Sequence, residues 1–145
     1  MIDVMIRKRD GSPVRFILID DSRAIRNALK VCIKLLGGEV IGEAEDGIEG
    51  VQLYKRCRPY VVLCDIEMPR LNGIDTVRIL SKCDPQSKVI MVSSLAHQAK
   101  VKEAIEAGAA HFIVKPFKPI EAARKLKTIL ERFIPTSEAS THSPV

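Results

Sequence analysis

Four short apolar runs in this 145-residue chain end in residues that can do chemistry. Residues 15–20, RFILID, close on the pair Asp20-Asp21, and residues 61–64, VVLC, run into Asp65. KVIMVS, residues 88–93, ends at Ser93 with Ser94 behind it, and HFIV, residues 111–114, is followed by Lys115-Pro116. Each acid taken alone could be a helix N-cap or a loop carboxylate. Brought together, three carboxylates repel one another. Two unit charges about 4 Å apart cost roughly 4 kcal/mol at an effective dielectric of about 20. Such a cluster calls for cations. Lys115 supplies one positive charge, and a hard divalent ion held by oxygen can supply the rest. Mg2+ keeps several waters and takes one or two carboxylates plus phosphate oxygens, which suits an open site. A carboxylate beside a metal and an ammonium is also a sensible phosphoryl acceptor, because Asp can act as a nucleophile and form an aspartyl-phosphate. The metal and the ammonium would neutralise charge on the transferred group. The Ser93 hydroxyl could hydrogen-bond a phosphoryl oxygen.

These residues meet only if the elements between them bring the four ends to one place. Ser22 can N-cap a helix in which Ile25, Ala28, Leu29, Cys32, Leu35 and Leu36 recur at helical spacing, and Gly37-Gly38 ends it. EVIGE, residues 39–43, reads as a short second strand. Asp46-Gly47 turns into a helix with Ile48, Val51 and Tyr54 on one face, ending before Pro59. After Asp65, Met68-Pro69 turns the chain and Asn72-Gly73 leads into a third helix over residues 73–82, with Ile74, Val77 and Leu80 inward. Asp84-Pro85 breaks it. A fourth helix carries Val101, Ala104 and Ile105 and stops at Gly108. The last, over residues 119–133, places Ile120, Ala123, Leu126 and Leu130 on one face before Pro135.

Strand and helix thus alternate five times. Short connections and fully apolar strands predict parallel strands covered by helices on both faces. Right-handed crossovers then give an α/β fold with a five-stranded, doubly wound sheet. All C-terminal strand ends share one edge, and ligands of open α/β sheets bind in the crevice beyond that edge. Residues 1–13 read as an N-terminal flank closed by the turn cluster Asp10-Gly11-Ser12-Pro13, and residues 14–134 as one domain. Residues 135–145 are Ser/Thr/Pro-rich without an apolar pattern and read as a disordered tail.

RFILIDDSRAIR, VVLCDIEMPRLNG, IMVSS and AGAAHFIVKPF, in this order and spacing, resemble the receiver domain of two-component response regulators, of the stand-alone chemotaxis (CheY-like) type. The resemblance covers about residues 14–134. The Asp-Asp pair, D-x-x-M-P-x-x-x-G and K-P-F are jointly specific, though each alone is weak. The resemblance implies a flavodoxin-like strand order, 2-1-3-4-5. It implies that Asp65 is the phospho-acceptor, Asp21 a direct Mg2+ ligand and Asp20 the acid holding metal-bound water. It gives Glu67 the position whose backbone carbonyl completes the metal shell, with Asp65 itself a ligand. Ser93 matches the switch hydroxyl, Phe112 the switch aromatic and Lys115 the phosphate-binding lysine, and the Lys115-Pro116 bond is expected to be cis. The sequence departs from the pattern in three places. Glu67 is acidic where several relatives have Asn, so its side chain can repel or orient the attacking water. Ser94 replaces a common Ala, and Phe112 lacks the hydroxyl of a frequent Tyr.

The implied function is a single-domain switch, phosphorylated by a histidine kinase in a Mg2+-dependent reaction and catalysing only its own phosphorylation and dephosphorylation. Protein partners would read it on helix four, strand five and helix five, residues 96–134. A flagellar switch protein is the expected target if the role is chemotactic, and a phosphatase is a further partner the family allows. Two alternatives stay open: a phosphorelay intermediate, and a receiver domain cut from a larger regulator.

Composition and motifs remove other classes. The net charge of +5 is spread along the chain apart from Arg7-Lys8-Arg9, which is too little for a nucleic-acid footprint. Aromatics are few and Trp is absent, so no base-stacking platform is visible. Cys32, Cys57, Cys64 and Cys83 form no C-x-x-C and no metal-ligand spacing with His97, His111 or His142. They read as buried reduced thiols of a cytoplasmic protein. No apolar stretch reaches membrane-spanning length, and the N-terminus lacks the apolar region of a signal peptide. A haloacid-dehalogenase-type phosphatase needs D-x-D after the first strand; Ser22 and Arg23 stand at those places instead. No P-loop or G-x-G-x-x-G occurs. His97 and His111 read as ordinary surface or edge residues.

Overall fold

In the computed structural model, which describes residues 4–134, β3 (Val61–Asp65) lies in the middle of the sheet and is buried along its whole length. The order of elements is β1 (Arg15–Ile19), α1 (Arg23–Leu36), β2 (Glu39–Ala44), α2 (Gly47–Cys57), β3, α3 (Gly73–Cys83), β4 (Val89–Ser94), α4 (Gln98–Ala107), β5 (His111–Lys115) and α5 (Pro119–Leu130). A single 3-10 turn, Leu95–His97, precedes α4. The five strands are parallel in the order β2-β1-β3-β4-β5. This is the doubly wound flavodoxin-like arrangement.

Alternation along the strands builds two cores, because successive side chains point to opposite faces. Phe16, Leu18, Leu63, Ile90 and Val92 pack under α1 and α5, against Leu29, Ile33, Ala123, Leu126 and Leu130. Ile17, Ile19, Val62, Cys64 and Met91 pack on the other face against Leu53, Ile74, Val77, Leu80, Val101 and Ala104, from α2, α3 and α4. The strands are apolar throughout because both faces are covered.

Helix starts follow local chemistry. Ser22, Asp46 and Asn72 each accept a hydrogen bond from the backbone N–H three residues on, which satisfies one of the unpaired donors at a helix start. Gly37 closes α1 in the left-handed region at φ 76°, and its N–H bonds back to the helix.

Several inward positions expected from spacing lie outward. Leu35, Ile48 and Ile105 are exposed. Leu35 and Ile105 stand one residue, or about 100°, from the buried Leu36 and Ala104, outside the covered arc. Cys83, at the end of α3, is exposed, so only Cys32 and Cys64 meet the expectation of burial in full; all four thiols are free.

The segment before β1, read as a flank, packs onto the domain. Val4 and Ile6 are 5% and 3% exposed and belong to the core under α1 and α5. The Ile6 N–H donates to the Leu36 carbonyl at 2.9 Å, and Arg7 bridges to Pro13 across the Asp10-Gly11 turn. Val4 and Ile6 alternate with Met5 and Arg7, which is too short a pattern to read as a strand without its partner. Residues 135–145, expected to form a tail, lie outside the described residues. No helix among the described residues is long and apolar enough to cross a membrane. Ile6→Ala is expected to cost about 2–4 kcal/mol by urea denaturation, as for other buried aliphatic truncations; a change near zero would remove this segment from the core.

Candidate functional site

The sheet's C-terminal edge carries the unusual residues. The Asp20 N–H donates to the Ala44 carbonyl at 3.0 Å, which holds the end of β1 against β2. One oxygen of Asp20 accepts the Ser22 N–H at 2.9 Å. Its other oxygen, Oδ2, lies 3.1 Å from Lys115 Nζ, and the same ammonium lies 3.2 Å from Asp65 Oδ1. Asp20 and Asp65 are 1% and 6% exposed. One ammonium therefore stands between two buried carboxylates, the three groups coming from the ends of three different strands. Asp21 is exposed beside them, and Asp20, Asp21 and Asp65 offer carboxylate oxygens within 4.8 Å of one another.

Three negative charges and one positive charge do not balance. Burial raises the pKa of the Asp65 carboxyl above its ordinary 3.8, and Asp20 raises it further against the opposing pull of Lys115. Asp20 Oδ2 is buried and accepts no hydrogen bond, although the ammonium is near. A buried oxygen with spare acceptor capacity, in an all-oxygen donor set short of positive charge, fits a hard divalent cation such as Mg2+.

The loop after β3 is drawn tightly back over that strand. A Cβ on Gly73 would come 1.9 Å from the Asp65 carbonyl oxygen, so only glycine fits where α3 starts. The Gly73 N–H donates to the Ile66 carbonyl at 2.7 Å. Arg70 holds a left-handed φ of 67°, unusual for a residue with a side chain. Its guanidinium meets Asp46 Oδ2, the α2 cap, at 2.9 and 2.5 Å. That contact ties the loop to the neighbouring helix.

The other expected residues surround this centre without all touching it. Ser93 is buried, and its hydroxyl donates to the Ser94 carbonyl at 3.1 Å rather than to either carboxylate. The Lys115-Pro116 bond is cis. Phe112 is half-buried, stacked on His111 with centroids 5.5 Å apart, and Lys125 Nζ lies 4.9 Å from its ring centroid. The Glu67 side chain turns toward α4 and pairs with Lys100, which holds its carboxyl below the usual range. His97 Nε2 lies 4.0 Å from the same carboxylate, and His97 Nδ1 is 3.0 Å from the Ser94 hydroxyl. His97 thus lies beside the Glu67–Lys100 pair.

Sequence reasoning passed over Arg26. It is 6% exposed, and its guanidinium donates to the Asp20 carbonyl at 2.6 Å and to Glu43 at 2.9 Å. It thereby fixes the turn between β1 and α1. The signal was present: Arg26 stands three residues before Leu29 in the inward stripe of α1, where a charge needs a reason. The Arg70–Asp46 tie had no comparable signal, since it depends on a loop conformation.

A raised folded-state pKa means that the folded protein favours protonated Asp65. Ionising it subtracts stability as pH rises through that pKa, and the loss is recovered on acidification toward 3.8. Asp65→Asn is therefore expected to raise the melting temperature in EDTA at neutral pH by a few degrees. The gain should shrink as pH falls, and Mg2+ should stabilise the parent protein more than the variant. An Asn variant that melts lower in EDTA at neutral pH would show that the carboxylate is structural.

Comparison with known proteins agrees with this geometry. The family model described as the response regulator receiver domain matches residues 16–127. A chemotaxis protein CheY from Thermotoga maritima is 44% identical over 115 residues, spanning 79% of this chain and 96% of that protein. A protein-glutamate methylesterase/protein-glutamine glutaminase from Pyrococcus abyssi is 43% identical over 122 residues, but only 33% of its length is covered. Among solved structures, the CheX-CheY-BeF3-Mg+2 complex from Borrelia burgdorferi superposes with a TM-score of 0.77 at 31% identity, over 86% of this chain and 92% of that one. The chain belongs to the response regulator receiver domain family and is a two-component signalling receiver of the CheY-like kind.

Proposed function

We propose that this receiver is a phosphorylation switch in which Asp65 accepts a phosphoryl group from a histidine kinase, and that protein partners of a chemotaxis system read the result. The observation that carries the reading is the single Lys115 ammonium held between buried Asp20 and Asp65, with Asp21 alongside. In the transfer, an Asp65 carboxylate oxygen attacks phosphorus, forming an O–P bond. The P–N bond to the donor imidazole breaks, and its electron pair stays on the departing nitrogen. Asp20, Asp21 and Asp65, with the Glu67 carbonyl, would hold Mg2+, whose role is to neutralise charge on the transferring oxygens. Lys115 is already 3.2 Å from Asp65, within reach of a phosphoryl oxygen placed there. Water attack later releases phosphate, so the only reaction catalysed is on the chain itself.

The output follows from differential contacts, since a modification shifts a two-state equilibrium only through interactions that differ between the states. The Ser93 hydroxyl leaves the Ser94 carbonyl for a phosphoryl oxygen, and Lys115 leaves its two-carboxylate bridge. Phe112, now under Lys125, is the residue free to turn into the space behind β4. The face that changes is α4, β5 and α5. The CheY relatives are named as chemotaxis proteins and one is solved in complex with CheX, which supports protein partners of a chemotaxis system; a flagellar switch protein as target and a phosphatase as second partner belong to this proposal.

Acetyl phosphate with Mg2+ is expected to phosphorylate the protein. Asp65→Asn or EDTA should abolish the reaction, and Lys115→Ala should slow it on the order of a hundredfold, as for loss of one charge-stabilising donor. Phosphorylation that continues at the parent rate in Asp65→Asn, or that ignores EDTA, would refute the assignment.

A further inference from the structure

Toward the C-terminal edge of the sheet five cations are paired. Arg26, Lys30, Arg70, Lys100 and Lys115 each lie within ion-pair distance of a carboxylate. The opposite edge is built differently. Arg15 opens β1, and Arg58, Pro59 and Tyr60 lead into β3. The docked N-terminal segment brings Lys8 and Arg9 to the same place. A groove of about 370 Å³ is lined by Lys8, Arg9, Asp10, Tyr60 and Ile134. A smaller pocket of about 140 Å³ shares Lys8 and Tyr60 with it and adds Arg15, Arg58 and Pro59.

Among the described residues, no carboxylate lies within ion-pair distance of Lys8, Arg9 or Arg15, and Arg58 reaches Asp84 only at 3.9 Å. The acid in the lining, Asp10, is held in its own turn, where it accepts from the Ser12 N–H at 2.9 Å and the Ser12 hydroxyl at 2.5 Å, and its charge offsets part of that of Lys8. The floor is apolar and fixed. Lys8 Nζ stands 5.5 Å from the Tyr60 ring centroid, the Tyr60 hydroxyl donates to the Phe133 carbonyl at 3.2 Å, and Ile134 is buried.

We propose that this groove docks an acidic peptide segment of a protein partner. A large apolar side chain of that segment sits on Tyr60 and Ile134, and its carboxylates face Lys8, Arg9, Arg15 and Arg58. Charge complementarity selects the occupant. Four cations around so small a groove are too few for a nucleic-acid backbone, which typically takes about 6–10 phosphate contacts. Lys8, Arg9, Arg15 and Ile134 all fall outside the residues matched by the family model, so the groove is made largely by this chain's own flanks. It lies a strand length from Asp65, roughly 15 Å for a five-residue strand. Its occupant therefore leaves the phosphorylation site open. Such a tether raises the effective concentration of a partner while the switch face cycles.

The test is fluorescence anisotropy with a labelled peptide of Asp and Glu around one central Phe, against a Lys-for-acid version of the same peptide. The acidic peptide is expected to bind, and the basic one not. Arg9→Glu with Arg15→Glu, both exposed positions, should weaken binding about tenfold or more with an unchanged melting temperature. Tyr60→Ala should weaken it independently of charge. Beryllofluoride with Mg2+ should leave the affinity within about twofold. Equal affinity for parent and charge-reversed protein would overturn the proposal. So would loss of binding on beryllofluoride addition, which would move the site to the switch face, or complete displacement by single-stranded oligonucleotide at concentrations where the peptide binds.

Discussion

One ammonium between two buried carboxylates sets the terms for the site. Lys115 lies 3.1 Å from Asp20 and 3.2 Å from Asp65, and Asp21 leaves the cluster still short of positive charge. Burial strengthens each of these interactions, because screening by water is reduced. The arrangement is therefore poised rather than satisfied. It holds together well enough to fold, and it gains from any species that brings positive charge or hydrogen-bond donors to the carboxylate oxygens. A divalent cation is such a species, and a phosphoryl group on Asp65, as proposed, would give Lys115 a new acceptor.

The fold makes this possible by putting unlike residues from distant parts of the sequence at one edge. Asp20, Asp65 and Lys115 follow β1, β3 and β5 or end them, and parallel strands bring those ends together. The surroundings then restrain them. Arg26 grips the Asp20 carbonyl, Gly73 lets α3 start against the Asp65 carbonyl, and Arg70 ties the intervening loop to Asp46. Glu67 and Lys100 link that same loop to α4 across the mouth of the site.

Much of this could be read from residue order. Apolar runs of strand length ending in Asp, Ser or Lys, separated by helix-period segments, allow few topologies, and the observed sheet follows them. The helix cap at Ser22, the stop at Gly37 and the turn into α2 at Asp46-Gly47 followed from local chemistry. What stayed hidden depended on tertiary context. Leu35 and Ile105 keep helical spacing yet lie outside the covered arc. Val4 and Ile6 look like a flank until Leu36 offers Ile6 a backbone acceptor. The Arg70 conformation and the Glu67–Lys100 pair have no local signature, because each needs a partner more than twenty residues away.

The claim that these contacts serve one carboxylate is tested most directly by finding where the phosphoryl group goes. An acyl phosphate is reduced by borohydride to a primary alcohol, which turns the modified aspartate into homoserine. After reaction with a small phosphodonor and Mg2+, borohydride treatment and peptide mass spectrometry should place homoserine at residue 65, with Asp20 and Asp21 unchanged. Homoserine at position 20 or 21, or an acid-labile phosphate on His97 with Asp65 intact, would contradict the account.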